Sequence, residues 1–138
     1  MKKFLLLLLG FFTLNAMASN DQPVSFNNLP QKAQQFINQH FSSVGFLSAK
    51  LDDGQYEVRL KNGTEIEFTA QGEWKEVDCH TTAVPAAIVP ANITKYVKAQ
   101  FPNNIIVKIS KKYNGYEIEL NSDIELKFDA KGNFLYAD

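Results

Sequence analysis

A fixed sixty-residue offset constrains this chain more than any other feature. Leu29–Asp78, moved forward by sixty positions, lies on Val89–Asp138 without a gap. Ten of the fifty aligned positions are identical: Pro30/Pro90, Phe41/Phe101, Tyr56/Tyr116, Glu57/Glu117, Leu60/Leu120, Glu65/Glu125, Phe68/Phe128, Ala70/Ala130, Gly72/Gly132 and Asp78/Asp138. Conservative pairs such as Phe36/Tyr96 and Val58/Ile118 fill many of the remaining positions. Self-similarity at a constant period is the mark of one supersecondary unit used more than once. The expectation is a tandem repeat, 29–78 and 89–138, joined by a linker at 79–88.

Each unit reads helix first and strands afterwards. In LPQKAQQFINQHF, Leu29, Ala33, Phe36, Ile37 and Phe41 share one helical face. Pro30 suits the first helical turn, where its missing N–H costs nothing. Val89, Ile93, Tyr96, Val97 and Phe101 repeat the pattern, and Pro102 stops the second helix. Val44–Leu51 and Ile105–Ser110 are strand-forming. The turns Asp52-Asp53-Gly54 and Tyr113-Asn114-Gly115 predict hairpins. YEVRL and YEIEL then alternate apolar and charged residues, as do Glu65–Thr69 and Glu125–Asp129. Last strands are expected at Glu73–Val77 and Asn133–Ala137. The fold class is therefore α+β: an α-β-β-β-β unit used twice, giving about eight antiparallel strands backed by two helices. One sheet face is apolar and takes the helices; the charged face is left to solvent.

The first eighteen residues read as a leader. Lys2 and Lys3 precede an apolar run from Phe4 to Leu14, and Ala16-Met17-Ala18 is a cleavage signal. That run is short of the ~20 residues that span a bilayer. The expectation is a signal peptide at 1–18, cleaved after Ala18, a flexible N-terminus at 19–28, and a periplasmic or secreted product not inserted in a membrane. The mature charge is modest. Leu29–Asp78 has five basic and eight acidic residues, and Val89–Asp138 has seven and six. This balance argues against nucleic acid as a partner. Cys79 is the only cysteine, so no intramolecular disulfide forms and the packed core must supply stability.

Taken together, LPQKAQQFINQHF, YEVRL, NGTEIEFTAQGEW, the VDC…VPAAI linker and their second copies resemble the PepSY-like family of exported bacterial proteins. The fold of that family is similar to that of the β-lactamase inhibitor protein. The resemblance implies a helix-backed antiparallel sheet with an exposed face, which the inhibitor relative uses to grip an enzyme. It carries no catalytic residues.

Several residues invite chemistry. Glu65 and Glu67 point to the open face, with Glu57 and Arg59 beside them; Glu117, Glu119, Glu125 and Lys127 are their counterparts. Paired carboxylates can work as acid and base or bind Ca²⁺, but a solvated face with cross-strand ion pairs needs neither. Cys79 and His80 are neighbours on an extended segment, so they point apart; Cys79 is expected to pack as a small hydrophobe. Trp74, beside Lys75 near a turn, is expected to reach the sheet surface as a contact residue. No phosphate loop, HExxH or CxxC motif occurs. The expected function is a non-enzymatic binding module whose charged face meets a protein partner, one version being an inhibitor of an envelope or secreted hydrolase. That surface comprises Glu57, Arg59, Glu65, Glu67, Trp74, Glu117, Glu119, Glu125 and Lys127. No catalytic residue, metal ligand or cofactor is assigned. The alternative is a periplasmic carrier of a small ligand or metal ion.

Overall fold

The computed structural model describes residues 21–138; the expected signal peptide and cleavage site lie outside them. Nine strands form one antiparallel sheet in strict sequence order: β1 (Gln22–Pro23), β2 (Phe46–Asp52), β3 (Gln55–Leu60), β4 (Glu65–Phe68), β5 (Trp74–Asp78), β6 (Ile106–Lys112), β7 (Gly115–Leu120), β8 (Glu125–Asp129) and β9 (Phe134–Ala137). Helix α1 (Gln31–His40) precedes β2 and helix α2 (Ala91–Gln100) precedes β6. The two halves thus run through the same order of elements, and the sheet is continuous across them. Its seam is β5 against β6, with Glu76 opposite Ser110, Val77 opposite Ile109 and Asp78 opposite Lys108.

The alternation read from the sequence sorts the two faces. Val58, Leu60, Ile66, Phe68 and Val77 turn to the helices, as do Ile109, Ile118, Leu120, Leu126 and Phe128. Ala33 and Ile37 of α1 and Ile93 and Val97 of α2 pack onto them in one buried cluster. Ring contacts tie each helix to its half. Phe36 meets Phe68 edge-on at 5.6 Å, and Tyr96 meets Phe128 likewise at 5.6 Å. Both helices start just after a proline, Pro30 and Pro90, which preset φ for entry. At the Asp53-Gly54 turn both residues have positive φ, 55° and 77°, as a tight hairpin demands. Gly115 takes the equivalent place to Gln55 for another reason: a Cβ there would lie 2.0 Å from the Phe128 carbonyl oxygen.

Two expectations change. Of the segment 19–28, read as flexible, the described part 21–28 contributes β1 and a 3-10 turn (Phe26–Asn28). β1 satisfies the open backbone groups of β2, with Val24 N–H donating to the Ala49 carbonyl at 2.9 Å, and Phe26 packs on Phe46 at 5.5 Å. Trp74 does not reach the charged face. A bulge places Trp74 opposite Phe68, while Glu76 sits opposite Glu67. The inserted residue reverses the side from which Trp74 emerges. It packs on the helix side, 6.2 Å from Phe36, with the Lys111 ammonium 4.2 Å above its ring.

Candidate functional site

The charged face is built as two rows of side chains running across the sheet. One row, strand by strand from β2, is Lys50, Glu57, Glu67, Glu76, Ser110, Glu117, Lys127 and Tyr136. Beside it run Ser48, Arg59, Glu65, Asp78, Lys108, Glu119 and Glu125. Every expected surface residue except Trp74 therefore lies on one side of the sheet. Antiparallel register makes neighbours in a row near-contact partners, so charge order along the row decides its electrostatics.

In the first half the order is unfavourable. Glu57, Glu67 and Glu76 stand side by side on β3, β4 and β5. The Glu67 carboxyl is half-buried; burial first, then Glu76 and Glu57, push its pKa above the ordinary value. Ser110 relieves Glu76 by donating its hydroxyl to Oε1 at 2.7 Å, and the Lys108 ammonium is 3.9 Å from Oε2. Lys50 closes the other end, 3.2 Å from Asp21 and 3.6 Å from Glu57. Its pKa is raised by the hydrogen bond and charge of Asp21, then by Glu57. Arg59 pairs with Glu65. A depression of about 430 Å³ lies over this part of the sheet. Asp21, Lys50, Glu57, Arg59, Glu67 and Glu76 line it.

In the second half the order is compensated. Lys127 replaces the central acid, 3.0 Å from Glu117 and 3.3 Å from Glu125, and its side chain is only 15% exposed. Burial alone would lower its pKa; the hydrogen bonds to Glu117 and Glu125 outweigh that and raise it. The hollow beside it, along Lys108, Ser110, Glu117 and Glu119, holds about 20 Å³.

Asp78, which single-strand reasoning passed over, meets Glu65 and His80 here. Glu65, Asp78 and His80 bring one ligand atom each within 4.8 Å of one another. His80 Nε2 is 3.6 Å from Glu65, and Nδ1 is 3.6 Å from Asp78. The available signal was only the nearness of Asp78 and His80 in sequence; a turn with φ 60° at His80, whose N–H donates to Asp78 Oδ1 at 3.0 Å, brings the two side chains together. Cys79 lies in the core, where burial pushes its thiol pKa up. A buried, protonated thiol is a poor nucleophile. The His40 ring lies 4.7 Å from that of Phe36 at a tilt of 57°, and burial lowers its pKa.

Comparison with known proteins agrees with this architecture. A family model described as "Putative beta-lactamase-inhibitor-like, PepSY-like" matches residues 54–136. A "putative calcium-regulated periplasmic protein" of Bacteroides thetaiotaomicron is 43% identical, with a TM-score of 0.84 over 88% of this chain and 98% of that one. A "putative periplasmic protein" of the DUF2874 family from Bacteroides vulgatus is 38% identical, with a TM-score of 0.82 over 88% and 98%. A second from that species, of unknown function, is 35% identical, with a TM-score of 0.82 over 86% and 98%. No curated protein matches the chain.

Proposed function

We propose that this chain, which belongs to the PepSY-like, beta-lactamase-inhibitor-like family, is a non-enzymatic binding module of the cell envelope whose acidic hollow receives a basic patch on a protein partner. The periplasmic description of its relatives supports the location. One observation carries the reading: the unbroken acidic run Glu57–Glu67–Glu76 in the lining of the hollow. Like charges directly opposite one another on adjacent strands destabilise a sheet. An arrangement that costs stability and lines a hollow in an open face fits recognition of positive charge better than structural support. A basic partner would take the place that Lys127 fills in the other half. Inhibition of an envelope or secreted hydrolase is one form of this activity, supported by the family likeness alone.

The test is capture from envelope extract by the exported protein and by the double variant E57K/E67K. The variant is expected to keep or raise its melting temperature and to lose the basic protein retained by the native chain. Equal retention by both proteins would defeat the reading.

A second reading concerns a divalent cation, favoured by the Glu65–Asp78–His80 cluster. The donor set does not suit calcium, which takes six to eight oxygen ligands. Two carboxylates and an imidazole fit zinc better. A melting experiment with Zn²⁺ and Ca²⁺ separates the two: zinc at one hundred times its dissociation constant would stabilise by about 2.7 kcal/mol, and H80A would abolish the effect. An unchanged melting temperature with Zn²⁺ would remove this reading.

A further inference from the structure

The two ends of the sheet are finished differently. At one end β1 is two residues long and contains Pro23, which has no N–H to offer a further strand. The flanking Asp21 and Lys50 add charge. Such short, charged, proline-bearing edges resist further pairing. At the other end stands β9, and among the described residues nothing pairs with its outer side. Its exposed residues are apolar: Phe134 is 37% exposed, Leu135 51% and Tyr136 56%.

The contrast with β5 is sharper still. β5 occupies the place equivalent to β9 in the first half and is covered by β6. Covered β5 carries Lys75 and Glu76; uncovered β9 carries Leu135 and Tyr136 at the same positions. Protection of an edge strand calls for the reverse distribution. β9 therefore has the composition of a covered strand.

Its charge order says what covers it. An exposed Lys131 precedes the strand and an exposed Asp138 follows it, with Phe134–Ala137 between. A segment that is basic at one end, apolar in the middle and acidic at the other complements itself when it is turned antiparallel. Covered β5 lacks this property: Gln71 stands where β9 has Lys131, Glu73 precedes the strand and Asp78 ends it. We propose that β9 pairs with the β9 of a second copy of this chain across a two-fold axis, joining two nine-stranded sheets. Lys131 of each copy then lies near Asp138 of the other, and Leu135 and Tyr136 pack across the junction. The contact is isologous and closes on itself. The blocked β1 edge prevents growth into a filament. This pairing uses the sheet's edge and is independent of the acidic hollow.

Sedimentation equilibrium of the exported protein over a concentration series tests the proposal. The native chain is expected to form a dimer and no larger species. L135K/Y136K should be monomeric, with an unchanged far-UV circular dichroism spectrum. K131D and D138K should each weaken the dimer by about tenfold or more. The combined K131D/D138K exchange should restore it, which a loss of folding could not do. The proposal is overturned by a native monomer up to roughly millimolar concentration. It is equally overturned by a dimer that survives L135K/Y136K, by open-ended polymers, or by no rescue in the exchange variant.

Discussion

The first half and the second half share an order of elements and a pattern of buried residues, yet their open faces behave oppositely. The difference centres on one aligned position. Glu67 stands between Glu57 and Glu76 and joins their repulsion; Lys127 stands beside Glu117 and Glu125 and cancels theirs. The hollow of about 430 Å³ lies over the strained row, and only about 20 Å³ is left over the compensated one. The helix-facing side tolerated no such divergence, because Phe68 and Phe128 both fill the centre of a packed core. Packing holds one side of a sheet to a common plan while the other is free to diversify.

The largest expected effect tests the shared side. Phe68 and Phe128 are 0% and 1% exposed. F68A and F128A should each cost about 3–5 kcal/mol, the usual range for a buried phenylalanine truncated to alanine. The losses should be similar, and urea unfolding should remain a single transition, since one cluster spans both halves. A loss confined to one variant, or two separated transitions, would show that the halves are not built on equivalent cores.

Exchanging the divergent residues should give effects of opposite sign, on the order of 1 kcal/mol. E67K places an ammonium between Glu57 and Glu76 and is expected to stabilise. K127E adds a third carboxylate to Glu117 and Glu125 and is expected to destabilise. The same contrast has a pH signature. Glu67 has a pKa raised above 4.5 in the folded chain, so the native state takes up its proton before the unfolded state does. Stability from this group therefore falls as pH rises from 4.5 through the raised native value. E67Q should flatten that part of the profile. A profile identical to that of the native protein would mean that the acidic row carries no strain.

Much of the fold was legible because its signals are local. The helix faces, the Asp53-Gly54 turn and the in–out order of Tyr56–Leu60 and Glu125–Asp129 need only near neighbours. The site was legible in part: Glu57, Arg59, Glu65 and Glu67 alternate with core residues on their own strands. What joins them to Glu76, Asp78 and His80 is the register of β4 on β5, which no single strand encodes. Trp74 was misplaced for a related reason. Strict alternation back from Glu76 puts it on the open face, and the bulge at Lys75 turns it to the helices. The pairing of β1 likewise depends on an edge of β2 that is distant in sequence.

The smallest predicted effect concerns that tryptophan and separates the halves once more. Trp74 is covered by the Lys111 ammonium, reaching over from the second half at 4.2 Å, whereas its counterpart Phe134 stacks on Tyr96 at 4.5 Å. Burial lowers the Lys111 pKa, an effect that Glu73 partly opposes. A cation over an indole at a partly exposed site contributes about 0.5–1 kcal/mol. K111M keeps the stem that covers the ring and removes the charge, so it should cost no more than that. Trp74 is the only tryptophan in the chain, so fluorescence reports on this contact alone. Its emission should shift in K111M and stay constant when a basic partner fills the hollow on the opposite side of the sheet. A change in emission on partner binding would move the docking surface to the helix side, and the acidic row would lose its assigned role.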